Sequence, residues 1–247
     1  MYSKIIRDAL IITIMKSKHF IKNPLSFIVI AAFPLIFNFA ILWLSGYKSL
    51  VNAFSGTMIL MIAFSGLTIV AQGINSERKN RTLSLYITSP IHPLSYGLGV
   101  ALSSLLQSIL NIILTTAIYI LFTGKIRNIV GVNIFLLIPV FILTWLICIT
   151  NGLLLVSLIR NWQIINIITS FLPFLYMFLS PIYYSYKYLP YYLYLLVYMV
   201  PLTPCVIAMK SILDNDLSNI WINLSVAIFY VLLFLLLTIK KVQWREK

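Results

Sequence analysis

Six long apolar runs, at residues 25–45, 51–74, 95–122, 132–158, 163–182 and 220–239, leave this chain few ways to fold. A helix needs roughly 20 apolar residues to cross the hydrocarbon core of a bilayer, whereas a barrel strand needs only about ten. In lipid every backbone N–H and C=O must find a partner within the protein, so runs of this length are satisfied as helices. Charged residues make up 9% of the chain, against about 25% of an average soluble domain, and mean hydropathy is +1.01. The expected fold is an all-α polytopic membrane protein: six transmembrane helices in a single transmembrane domain over 1–247, with no room for a soluble domain.

Two segments outside the runs are structured by their composition. In residues 1–24, Ile6, Ala9, Leu10, Thr13, Ile14, Phe20 and Ile21 share one side of a helical wheel, and Lys4, Arg7, Asp8, Lys18 and Lys22 the other. That pattern predicts an amphipathic helix lying in the membrane interface. Between the fifth and sixth runs, residues 183–218 are rich in tyrosine, and Pro201 and Pro204 interrupt an apolar stretch. We expect a broken, re-entrant hairpin there, with its tyrosines at headgroup level.

Formal net charge is +13. In a soluble protein this would point to nucleic acid, but no basic cluster is interleaved with aromatics on a soluble surface, so no nucleic acid is expected. With the amino terminus inside, 13 of the 18 Lys and Arg fall on the inner side and five on the outer. The positive-inside rule then places both termini in the cytoplasm of a multi-pass protein of the cell membrane, in contact with membrane lipid. The two cysteines, Cys148 and Cys205, have no metal-ligand spacing and are expected to be apolar fillers.

The six runs contain no Asp, Glu, Lys, Arg or His. Ion-coupled carriers usually need an ionisable or unwound polar site in mid-membrane, and intramembrane proteases need a buried acid or histidine. No GxxxxGK[ST] is present, so no nucleotide is expected to bind this chain through a P-loop. No catalytic residue, no metal site and no cofactor of its own is expected. Two positive features remain. In the second run Gly56, Ala63, Gly66 and Gly73 recur every three or four residues with Ile59 and Val70. This stripe fits close helix packing in lipid, or a pore-lining face to which Ser65, Thr68 and Gln72 would belong. The second is the charge cluster that starts at Glu77. Basic residues alone would serve as an interfacial anchor. An anchor needs no acid, and no short helix over 82–88 closed by Ser89-Pro90.

The stretch Glu77-Arg78-Lys79-Asn80-Arg81-Thr82-Leu83-Ser84-Leu85-Tyr86-Ile87-Thr88-Ser89-Pro90 resembles the cytoplasmic loop of ABC-2 type permeases. Leu189-Pro190 and Pro201-Leu202-Thr203 resemble that family's landmarks before its last span. Arg81 departs from the pattern, where Gly is usual, and Lys210 stands where Arg is common. The resemblance implies the transmembrane half of an ABC exporter. It would pair with a second permease copy or a paralogue as a dimer and be driven by a separate ABC ATPase subunit, which would bind ATP and Mg. Glu77, Arg78, Arg81, Thr82, Leu83, Leu85, Tyr86 and Pro90 would couple the chain to that ATPase. Glu77 would pair with a base on the ATPase or on the amphipathic helix, and Leu83, Leu85 or Tyr86 would fill the ATPase groove. The substrate path would involve spans two and five, with Asn166, Thr169 and Ser170 joining Ser65, Thr68 and Gln72. Its apolar character suits a hydrophobic, amphiphilic or lipid-linked cargo. The rival readings are a membrane scaffold or assembly factor without cargo, and a membrane-embedded lipid-modifying enzyme.

Overall fold

The computed structural model describes residues 2–22, 36, 40, 50–89, 91–123, 134–182, 184, 190–214 and 216–241. Pro90, the tail after Lys241 and, apart from Ile36 and Ala40, the expected first span at 25–45 lie outside them. Among the described residues all regular structure is helical. In chain order the elements are α1 (Tyr2–Lys22), α2 (Leu50–Ala63), a π-helical stretch (Phe64–Ile69), α3 (Val70–Lys79), α4 (Thr82–Thr88), α5 (Pro93–Thr123), α6 (Ile134–Leu158), α7 (Trp162–Leu179), α8 (Tyr191–Tyr198), α9 (Thr203–Leu213) and α10 (Ile220–Lys241). Among the described residues five stretches are long and apolar enough to cross a membrane: Phe54–Lys79, Pro93–Ile118, Phe135–Leu158, Trp162–Leu179 and Ile220–Lys241.

The centre of the molecule is the continuous rod α2–π–α3, which contacts α5, α6, α7 and α9. Small residues let it sit there. A Cβ added to Gly66 would stand 2.7 Å from Cys148 Cβ, and one added to Gly152 of α6 would stand 3.1 Å from Leu67 O. The two helices therefore cross backbone to backbone, as lipid-embedded helices do where glycines face each other. Ala63 and Gly56 are buried as well. Gly73 is not part of this packing: a Cβ there would meet nothing within 4 Å. The expected stripe thus makes its close backbone contact at Gly66 and not at Gly73, while Ile59 before them and Val70 between them are buried. α6 also packs along α10, and α9 fills the space beside α2, α6 and α10 with every residue from Thr203 to Met209 buried.

α1 lies against α5. The contact is close because Gly99 has no side chain: a Cβ there would be 2.7 Å from Ile12 Cβ. The face buried in the protein is Ala9, Ile12 and Thr13, with Thr13 Oγ1 donating to Gly99 O at 3.2 Å. Ile6, Leu10 and Ile14, expected on the same side as Ala9 and Thr13, are exposed together with Ile11 and Met15. The wheel reading merged two faces: a narrow strip, Ala9, Ile12 and Thr13, that docks on α5, and a broader apolar face left open beside it.

Two boundaries have local causes. The fifth span ends at Leu179 rather than at 182, because Ser180 precedes Pro181 and takes an extended backbone, φ −76° and ψ 150°. The segment around Pro201 breaks into α8 and α9 of 8 and 11 residues. At about 1.5 Å per residue neither reaches across a core of about 30 Å. Lys210 of α9 ties the end of α7 in place, its Nζ donating to Pro181 O and, at 3.4 Å, to Tyr184 O.

Candidate functional site

Consecutive helical residues project about 100° apart, so three in a row at the end of α3 point in three directions. Glu77 turns toward α1 and α5. Its Oε1 accepts from Lys16 Nζ at 2.5 Å and its Oε2 accepts from the Tyr96 hydroxyl. Both charged side chains are largely buried, at 16% and 17% exposure. Lys16 also lies over the Tyr96 ring, 5.5 Å from its centroid, and Tyr86 of α4 packs on Tyr96 at 5.3 Å between centroids. Burial first, and then the Glu77 carboxylate, raise the Tyr86 hydroxyl above its ordinary pKa. Arg78 turns toward α6 and donates to Val156 O and Ile159 O, each at 3.3 Å. Lys79 turns toward α7 and places its Nζ 3.8 Å from the centroid of the Trp162 ring.

Beyond this root the chain reverses at Arg81, whose φ of 60° is left-handed. Thr82 Oγ1 donates back to Glu77 O at 3.2 Å and Ser84 Oγ to Arg81 O at 2.5 Å, which fixes the first turn of α4. No residue of α4 is fully buried. Of its apolar side chains Leu83 and Tyr86 lean on the core beside α1 and α5, while Leu85 is 68% exposed. Leu83 and Tyr86 are thus engaged within the chain, and Leu85 is the apolar side chain that α4 offers outward.

Above the root, α3 and the π-helical stretch before it are joined to α7 by a ladder of uncharged polar groups. Thr68 Oγ1 donates to Thr169 O at 3.2 Å, and Gln72 Nε2 to Thr169 Oγ1 at 3.4 Å and Ser170 Oγ at 3.0 Å. Asn75 Nδ2 donates to Trp162 O at 2.9 Å and Asn166 Oδ1 at 3.1 Å. From Thr68 and Gln72, which meet Thr169 and Ser170, to Asn75, which meets Asn166 and Trp162, the α7 partner falls back, as it does between two antiparallel helices. Five of the six path residues singled out in the sequence therefore meet. Ser65 does not join them: it is buried on the far side of the rod, sharing a short hydrogen bond with Ser108 of α5.

Sequence reasoning missed Lys16, Asn75, Tyr96 and Trp162. For Lys16 a signal existed: it follows Ala9, Ile12 and Thr13 at helical spacing, and a lysine on an otherwise uncharged helix face needs an acid nearby. Asn75, one turn from Gln72 on the same face, could have been found likewise. Tyr96 and Trp162, at the starts of apolar runs, carry no such mark.

The short helix expected over 82–88, after the charge cluster that starts at Glu77, is present as Thr82–Thr88. The profile of the ABC-2 type transporter family matches residues 9–213, most of the chain. The chain belongs to that family. A search of curated proteins returned no match. As an ABC-2 type transporter, the chain is a multi-pass membrane protein of the permease kind, from a family whose members work with an ATPase subunit. Among the described residues no group of three or more His, Cys, Asp or Glu could hold a metal ion.

Proposed function

We propose that the chain is the transmembrane subunit of an ATP-driven exporter. The observation that carries this reading is α4: a short helix with no buried residue, exposing Leu85, whose root is gripped by α1, α5, α6 and α7 through Glu77, Arg78 and Lys79. A surface helix held this firmly suits a lever seat for a partner. The partner is a separate ATPase subunit that binds ATP with its Mg ion, and its closure pushes α4 and switches the path from inward- to outward-open. Leu85 fills the ATPase groove, while Arg81 and Thr82 set the pitch of α4.

In this reading the chain has six spans, residues 25–45 forming the first. α1 lies in the inner interface with Ile6, Leu10, Ile11, Ile14 and Met15 toward lipid. α8 and α9 form a re-entrant outer hairpin, and both termini are in the cytoplasm. Two copies, or this chain and a paralogue, form the working dimer. The path runs beside the α3–α7 ladder, past Gln72, Asn166 and Ser170. Uncharged amides and hydroxyls bordered by exposed Ile167 and Phe171 suit an amphiphilic or lipid-linked cargo. The test is co-purification with a tagged candidate ATPase, followed by Glu77→Ala in the reconstituted complex. The variant is expected to insert in the membrane and to lose stimulated ATP hydrolysis and export. Unchanged export in that variant would overturn the lever, and failure to capture any ATPase would favour a scaffold without cargo.

A further inference from the structure

Two basic residues of the elbow, Arg78 and Lys79, turn back onto the rest of the molecule. Arg78 spans the carbonyls of Val156 and Ile159, each at 3.3 Å. These close α6, where the last C=O groups have no partner in their own helix and the negative end of the helix dipole favours a cation. α6 has no basic residue in its last turn, and Arg160, next in the chain, is exposed. The capping charge is therefore supplied by α3. Lys79 covers the ring of Trp162, the first residue of α7, and Asn75 holds Trp162 O from the same face of α3. Asn161 caps α7 independently, accepting from Gln163 N at 2.9 Å. The turn between α6 and α7 is thus gripped at both of its ends by one helix, α3, in which Asn75 precedes Arg78 by three residues and Lys79 by four.

We propose that Arg78 and Lys79 are positioning residues that fasten the α6–α7 turn to the root of α4, so that α7 follows α4 as one body. The fastening stands on these contacts alone; only its mechanical use rests on reading α4 as the lever seat. In that use the stroke enters α7 at its base. The ladder from Asn75–Asn166 to Thr68–Thr169 then keeps α3 and α7 in register along their length. The two helices of one copy do not part during the cycle, and the surface that opens is the outer side of the pair, where Ile167, Ser170 and Phe171 are exposed.

The test measures whether the bodies are joined. Spin labels are placed at Ser84→Cys on α4 and Ile167→Cys on α7, both exposed sites. The native Cys148 and Cys205 are buried. The full-length chain is studied in lipid nanodiscs, diluted with unlabelled chain so that distances within one copy are read. A single narrow distance is expected. The combined Arg78→Ala and Lys79→Ala variant is expected to lose it and give a broad distribution. Lys79→Arg, which keeps a cation over Trp162, is expected to retain the narrow distance where Lys79→Ala broadens it; general loosening of the fold would not discriminate between these two. An unchanged distribution in the double variant, or equal broadening by Lys79→Arg and Lys79→Ala, overturns the proposal. Should the double variant fail to fold, the comparison of the two Lys79 variants still decides. No ATPase is in the sample, so failure of the exporter reading and failure of this one are separately visible.

Discussion

Arg81 holds φ 60° and ψ 9°, a conformation in which Cβ crowds the following carbonyl and which costs roughly 1–2 kcal/mol in a residue other than glycine. It is the only non-glycine residue with positive φ among those described. Permeases that resemble this chain usually have glycine there, and the sharp reversal from α3 into α4 is the reason. Replacing Arg81 by Gly removes the crowding but frees the unfolded backbone, so the net gain should be about 0.5–1 kcal/mol. A raised midpoint of thermal unfolding for Arg81→Gly is the expected result; a lowered one would mean that the exposed guanidinium stabilises the elbow. Glu77 poses the opposite case. Removing its carboxylate leaves the largely buried Lys16 ammonium and the Tyr96 hydroxyl without their acceptor. Glu77→Ala should therefore cost about 1–3 kcal/mol. Glu77→Gln, which still offers an acceptor to Tyr96, should cost less, a ranking that unfolding in detergent can check. That Glu77 matters was legible in the sequence, as a lone acid among bases at a membrane edge. That a base of the amphipathic helix could be its partner was legible too, but not that the base is Lys16, 61 positions away, nor that Tyr96, at the start of an apolar run, joins it. Such pairings follow from how α1 docks on α5, which depends on Gly99 and not on any local pattern.

At the scale of elements the sequence was most readable where lipid sets the rule. Among the described residues five of the six long apolar runs recur as helices with ends shifted by a few residues, since each must satisfy its own backbone and no rival conformation does so in hydrocarbon. It was least readable where one helix presents two different faces to two environments. α1 shows this, with Ala9, Ile12 and Thr13 against protein and Ile6, Leu10 and Ile14 outside it. α9 shows the converse: eleven residues, apolar but for Lys210 and a few hydroxyls, packed on nearly all sides by protein. Its one cation is held among carbonyls after α7, and burial, only partly offset by the Asp214 charge, lowers the Lys210 pKa to about 8 from an ordinary 10.5. The sign of the consequence follows from proton counting. Between about pH 8 and 10.5 the unfolded chain keeps the proton that the folded chain has released, so stability supplied by this group increases as pH rises through that window. Thermal unfolding from pH 7.5 to about 9.5 should accordingly favour the parent chain progressively over Lys210→Met, which has no proton to lose. A difference between the two that is flat with pH would show that Lys210 keeps its proton throughout.

For the whole molecule, orientation is the property on which every functional statement depends, and it is set by charge. With six spans and the amino terminus inside, 13 of the 18 basic residues would fall on the inner side and five on the outer. The asymmetry counts only near helix ends, and that is where these residues are: Arg78 and Lys79 end α3, Arg160 lies between α6 and α7, and Lys240 and Lys241 end α10. Cytoplasmic α4 and a cytoplasmic ATPase therefore stand or fall together. The chain supplies its own blank for the measurement, because its two cysteines are both buried and offer no thiol to an impermeant reagent. A cysteine at exposed Ser84 should then react with a membrane-impermeant maleimide in inside-out vesicles, and not in intact cells until they are opened. Labelling of Ser84→Cys in intact cells would put α4 outside, beyond the reach of any cytoplasmic ATPase. Reaction of the parent chain itself would instead show that Cys148 or Cys205 becomes accessible as the molecule moves. Cys148 faces Gly66 across the central crossing, so its reactivity would report that the rod and α6 separate, a motion that their backbone contact at Gly66 and Gly152 argues against.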